Sequence, residues 1–116
     1  MHLHGHQFHV VAMEALYRSV TLEEIKTRNE NGNIRKNLDT AVAKDTVTVP
    51  ARGYTVLRFR ANNPGYWFFH CHLTKHVDLG MAMVLQVGGE SDMAPLPKHV
   101  RTCSTGNIPV QDALFI

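Results

Sequence analysis

Twelve residues constrain this chain more than any other stretch: His70-Cys71-His72-Leu73-Thr74-Lys75-His76-Val77-Asp78-Leu79-Gly80-Met81. They hold three imidazoles, one thiol and one thioether, soft and borderline donors of the kind that select copper or zinc. Along extended backbone, side chains alternate between faces. His70 and His72 then point one way and Cys71 the other. One tripeptide can therefore serve two neighbouring metal sites, joined by a covalent path of a few bonds. His76 and Met81 can join Cys71. A thiolate, two imidazole nitrogens and a weak axial thioether make a blue-copper donor set. One nitrogen of that set is not supplied by the stretch itself.

The histidines cluster. Of eight in the chain, all but His99 fall within residues 2–9 and 70–76. The first cluster opens His2-Leu3-His4-Gly5-His6. On an extended strand these three imidazoles share one face, and Gly5 lets backbone or a metal centre approach closely. A lone His-x-His is more often a polar strand face. Two such pairs in one small chain, at 2/4 and 70/72, point to metal. Cys71 read alone is a buried structural cysteine, but histidines on both sides argue against that. Structural zinc sites of this kind usually pair cysteines, and here one thiol sits among many imidazoles. His9, Met13, Met83 and Met93 read as ordinary surface or core residues, as does His99. Asp45 and Asp78 can relay protons, and no feature of the sequence separates them from solvated carboxylates.

A chain of 116 residues fits one domain, long enough for a modest core. The net charge of +2 and the scattered Lys and Arg residues give no reason to expect nucleic acid. No apolar run reaches the ~18 residues of a membrane span. Met1 is followed at once by His2, without the basic start and apolar run of a signal peptide.

Met1 to Met13 reads as a strand. Residues 14–44 break the pattern as a polar insertion, with a helix over about 22–29 capped by Thr21 and Glu24 in a capping box. Asp45–Val49, Tyr54–Ala61, Tyr66–His72 and Met81–Val87 read as strands. The Tyr66–His72 strand, with Trp67, Phe68 and Phe69, is expected to be buried on both faces and to keep water from the site. Leu73–Leu79 reads as about one helical turn. Beyond residue 88 periodicity is lost, and residues 89–116 read as an irregular wrapping tail. Short strands joined by Gly, Pro and Asn turns predict an antiparallel β-sandwich.

With these motifs in place, the chain resembles the C-terminal cupredoxin domain of the multicopper oxidases, the laccase-like family. The resemblance runs from Met1 to about Val87. It rests on Met1-His2-Leu3-His4-Gly5-His6, which is similar to the end of the family's His-Pro-x-His-Leu-His-Gly-His segment. It also rests on residues 70–81, which match its His-Cys-His-x-x-x-His-x-x-x-Gly-Met/Leu/Phe segment throughout. Lys44–Pro50 and Gly53–Phe59 look most like the animal laccase-like branch. The resemblance implies an all-β, cupredoxin-like Greek-key β-sandwich over residues 1–88 with a short helical insertion.

It also implies copper, with roles residue by residue. Cys71 and His76 would bind type 1 copper, with Met81 axial. His2 would bind type 2 copper, and His4, His70 and His72 the binuclear type 3 pair. His6 matches a residue that is not a ligand. Electrons from a small phenolic reductant would enter at type 1 and cross from Cys71 to His70 and His72, and dioxygen would be reduced to water. The partners implied are dioxygen, the reductant and the N-terminal cupredoxin domains of a longer parent. An extracellular, secreted parent is expected, with Cys103 disulfide-bonded to a part of it outside this chain. The chain departs from the pattern at its start: the family's first histidine falls before Met1. An N-terminally truncated piece, inactive alone, is the expectation. A non-catalytic blue-copper carrier, and an oxidase of ferrous or cuprous ions using groups such as Asp78, Asp92 and Met93, remain as alternatives.

Overall fold

The structure, a computed structural model, describes residues 1–95. It divides into two compact units, Met1–Arg60 and a second that begins at Ala61. Cys103, His99 and most of the expected tail lie outside the described residues.

In the first unit the strands are β1 (His2–Leu3), β2 (Phe8–Ala15), β3 (Ala43–Lys44) and β4 (Gly53–Phe59), with helix α1 (Leu22–Glu30) between β2 and β3. β2 is central, antiparallel to β3 on one side and β4 on the other. Its ladder with β4 pairs Phe8 with Phe59 and Ala15 with Gly53, and slips between Val10 and Ala12. Val11 is the extra residue, a β-bulge that turns its side chain inward. This explains why Phe8 and Val11, three apart, are both buried where strict alternation would bury Phe8 and Val10. The Val11 carbonyl accepts the Asn37 N–H at 2.7 Å, which ties the insertion to the bulge. Leu3, Phe8, Val11, Ile34, Val47 and Tyr54 are the buried apolar side chains of this unit. Phe8 is fully buried, worth ~1.5–3 kcal/mol of hydrophobic stabilisation.

The strand expected from Met1 to Met13 is two strands. Gly5 adopts φ +67°, a left-handed conformation that costs glycine little and breaks the ladder after Leu3. His2, His4 and His6 therefore do not line one extended face. The strand expected at Asp45–Val49 is displaced to Ala43–Lys44. Residues 45–47 instead run beside β1. The Leu3 N–H donates to the Asp45 carbonyl at 2.9 Å, the Val47 N–H to the Met1 carbonyl at 2.9 Å, and His2 bridges Thr46.

α1 starts where the cap predicts. The Thr21 hydroxyl accepts the Glu24 N–H at 3.2 Å. The box is only half made, because the Glu24 carboxylate turns to Arg18 (Nη1 to Oε2, 3.0 Å). No residue of α1 is buried, so polar contacts hold it. Arg28 reaches the Glu14 carboxylate at 3.3 Å and lies 5.7 Å from the centre of the Tyr54 ring. The Tyr54 hydroxyl donates to Glu14 at 2.7 Å. Burial, then the bond to Glu14, pushes the Tyr54 phenol above its ordinary pKa.

In the second unit β5 (Gly65–His70) and β6 (Ala82–Val87) form an antiparallel ladder, from Gly65 opposite Val87 to His70 opposite Ala82. Helix α2 (Thr74–Asp78) joins them, and a 3-10 turn, Glu90–Asp92, follows. β5 ends at His70, two residues before the expected limit. The Cys71 N–H still donates to the Met81 carbonyl at 2.9 Å, which closes the hairpin there. The expected burial of both faces of β5 is not seen. Trp67 and Phe69 are half-buried, but Tyr66 and Phe68 alternate to the other face and are 44% and 37% exposed. Antiparallel strands with little helix make up the described chain, in agreement with a cupredoxin-like β-sandwich. No helix among the described residues is long and apolar enough to cross a membrane.

Candidate metal centre

The first unit brings His2 and His4 together. Their ring centroids are 4.8 Å apart, tilted by 54°. β1 fixes His2, whose Nδ1 lies 3.0 Å from the Asp45 carbonyl and 2.9 Å from the Thr46 hydroxyl. A carbonyl oxygen only accepts, so the proton of the neutral ring sits on Nδ1 and the lone pair on Nε2. A metal at His2 would bind through Nε2. His4 is exposed in the bend that Gly5 makes. His6 stands edge-on to the Phe59 ring at 5.3 Å, half-buried, as suits a packing residue. His9 is exposed on β2.

In the second unit His70 and His72 lie together, and Cys71 faces His76. The rings of Phe68, His70 and His72 stack in series, with centroids 4.6 Å and then 5.8 Å apart and interplanar angles of 25° and 29°. His70 Nδ1 lies 2.9 Å from the Cys71 carbonyl, again placing the proton on Nδ1 and the lone pair on Nε2. Cys71 is buried, at 8% exposure, and its Sγ lies 3.4 Å from His76 Nδ1. α2 creates that approach. It is a single turn whose last carbonyls and C-cap fold His76 back beside the end of β5, with the Met81 N–H donating to the His76 carbonyl at 3.0 Å. Met81 is thus tied through its backbone to both Cys71 and His76, with its side chain 47% exposed. Asp78 is exposed.

The Cys71–His76 spacing is a fit test for a metal. Sulfur and nitrogen ligands at ~2.3 and ~2.05 Å, at a tetrahedral angle, stand ~3.6 Å apart. The observed 3.4 Å needs almost no adjustment. A buried thiol beside an imidazole nitrogen suits a soft or borderline cation, copper above all when thioether and imidazole complete the set.

Two residues of consequence escaped the sequence reading. Asp45 reads as an ordinary carboxylate and Thr46 as a strand residue, yet both engage His2 from 43 and 44 positions away. Only the pairing of β1 with this segment reveals them, and no short-range signal encodes it.

Comparison with known proteins places the chain in a family. A family model described as multicopper oxidase matches residues 1–91. Laccase-8 of Oryza sativa subsp. japonica is 39% identical over 99 residues, covering 84% of this chain and 16% of that protein. Iron transport multicopper oxidase FET5 of Saccharomyces cerevisiae is 39% identical over 90 residues, 72% of this chain and 14% of that protein. Iron transport multicopper oxidase fetC of Epichloe festucae is 36% identical over 115 residues, 95% of this chain and 17% of that protein. The chain spans about one-sixth of the length of the curated relatives it matches. Copper is the cofactor that membership implies. The chain belongs to the multicopper oxidase family.

Proposed function

We propose that this chain is the copper-binding domain of a laccase-like oxidase, whose full-length parent oxidises diphenols or similar small reductants and reduces dioxygen to water. The observation that carries the reading is the division of donors at one tripeptide. Cys71 meets His76 at 3.4 Å, while His70 and His72 stack with each other. Cys71, His76 and Met81 would hold type 1 copper, His2 type 2 copper, and His4, His70 and His72 the type 3 pair. When bound, copper takes up electrons one at a time and delivers them to dioxygen.

The chain's own residues do three things in this scheme. Cys71 is buried, so a copper bound there would be shielded from water on the sulfur side, which would favour its reduced form and raise its potential. The Nδ1–H of His70 is bonded to the Cys71 carbonyl, which fixes one ring relative to the thiol-bearing residue. His2 and His70 both hold their protons on Nδ1, which leaves the lone pair that a metal would take on Nε2. Four histidines from this chain fall short of the ligand set of a trinuclear site. The remainder would come from N-terminal cupredoxin domains of the parent, and the chain alone would be inactive.

A non-catalytic blue-copper carrier has no use for the stacked His70 and His72. Copper stoichiometry separates the two readings: about four per assembled protein for the oxidase, about one for the carrier. The iron transport oxidases among the relatives favour a second reading of the substrate, ferrous ion in place of phenol. Steady-state turnover with a diphenol and with ferrous ion, on the intact protein, decides between them. A laccase-like parent would work outside the cell.

A further inference from the structure

We propose that Thr46 and Asp45 are positioning residues that lock the His2 ring with its proton on Nδ1, and so fix Nε2 as its metal-binding nitrogen. This rests on His2 being a copper ligand. His2 Nδ1 lies 2.9 Å from Thr46 Oγ1 and 3.0 Å from the Asp45 carbonyl. The Thr46 hydroxyl has one proton, and its oxygen is 2.9 Å from Asp45 Oδ1. A carboxylate accepts and does not donate, so the hydroxyl proton goes there. The hydroxyl oxygen is left to face His2 as an acceptor. Both of these oxygens therefore demand a proton on Nδ1.

The arrangement is built into the fold. His2 and Thr46 are bridged partners, and the Asp45 carbonyl also accepts the Leu3 N–H at 2.9 Å, which uses its second lone pair. The Asp45 carboxylate is 3.9 Å from Nδ1. Its negative charge polarises the Nδ1–H and makes Nε2 a better donor to a cation. The Asp45 backbone carbonyl alone would hold the ring loosely, since a solvent water can compete for the same proton. The hydroxyl, with its own proton tied to Asp45, removes the competing option of donating to Nδ1. Thr46 is exposed, so replacing its hydroxyl leaves the core intact.

The test uses the full 116-residue chain. Long-range proton–nitrogen NMR of the metal-free protein reads the His2 tautomer directly. In the unsubstituted protein the proton is expected on Nδ1. Thr46→Val should raise the Nε2–H fraction, and Thr46→Ser should restore the original state. Asp45→Ala, which frees the hydroxyl proton to turn toward Nδ1, should shift the tautomer in the same direction. Copper(II) titration should show affinity at the His2 site about 10-fold weaker in Thr46→Val, and unchanged in Thr46→Ser. A proton on Nε2 in the unsubstituted protein overturns the proposal. So does a tautomer that neither Thr46→Val nor Asp45→Ala moves. His2→Ala tests the underlying reading separately: unchanged copper binding there removes His2 as a ligand, whatever the tautomer results.

Discussion

Gly53→Ala should be strongly damaging, far more so than the same change at Gly32. An added Cβ would stand 2.1 Å from the Glu14 carbonyl oxygen and 3.0 Å from the Ala15 Cα. An ordinary carbon–oxygen contact is more than an ångström longer. The clashing atoms are backbone on the paired strand, so no rotamer change relieves them. β2 and β4 must part at the end of their ladder, where Ala15 faces Gly53 and Glu14 faces Tyr54. Overpacking against side chains costs ~1–3 kcal/mol, and a rigid backbone places this case at ~3 kcal/mol.

Gly32→Ala is the internal comparison. Gly32 has φ +73° with nothing within 4 Å of its Cβ position. The cost there is conformational, ~1–2 kcal/mol, offset by ~0.4–1 kcal/mol from a stiffer unfolded chain. At ~4–8 °C per kcal/mol, Gly53→Ala should lower the midpoint of thermal unfolding by ~12–24 °C and Gly32→Ala by no more than ~13 °C. Far-UV circular dichroism melts of the three proteins measure this. A Gly53→Ala midpoint within a few degrees of the parent, or above that of Gly32→Ala, would refute the clash argument.

Tyr54→Phe removes the hydroxyl bonded to the half-exposed Glu14, and should cost ~1 kcal/mol by urea unfolding. Burial raises the folded pKa of Tyr54 above the ordinary 10.0, so its contribution is fully present below pH 10 and is lost as pH rises through the folded value. The parent should therefore lose stability on the alkaline side more steeply than Tyr54→Phe. Glu24 behaves oppositely. The Arg18 side chain bonded to it holds its pKa below the ordinary 4.5, so its contribution is present above that value and lost as pH falls through the folded one. Glu24→Gln should flatten the acid limb of the stability profile, and an unchanged limb would count against the Arg18 pairing.

The parts of this molecule that obey local rules were legible in its residues. Thr21 and Glu24 announce α1, Gly80 closes the α2 turn, and the strands expected at Tyr54–Ala61 and Met81–Val87 form as β4 (Gly53–Phe59) and β6 (Ala82–Val87). Alternation in the sequence sets His70 and His72 together and Cys71 apart; in the structure the His70 and His72 rings stack, and Cys71 meets His76. The misses involve competition between local pattern and distant pairing. Gly5 carried a signal for a break, since glycine inside a strand pattern marks a bend. The bulge at Val11 carried none, because it comes from register with β4. Thr46 and Val47 left the predicted strand to pair with β1, a choice made by residues more than forty positions away. The exposure of Tyr66 and Phe68 depends on what covers β5, which aromatic composition does not encode.

The central claim is that Cys71 ligates copper while its neighbours serve a second site. Visible absorption of the intact, copper-loaded protein, compared with its Cys71→Ser variant, tests this most directly. The account predicts an intense thiolate-to-copper band in the parent that disappears in Cys71→Ser together with oxidase turnover. Persistence of both the band and turnover without the Cys71 thiol would contradict it.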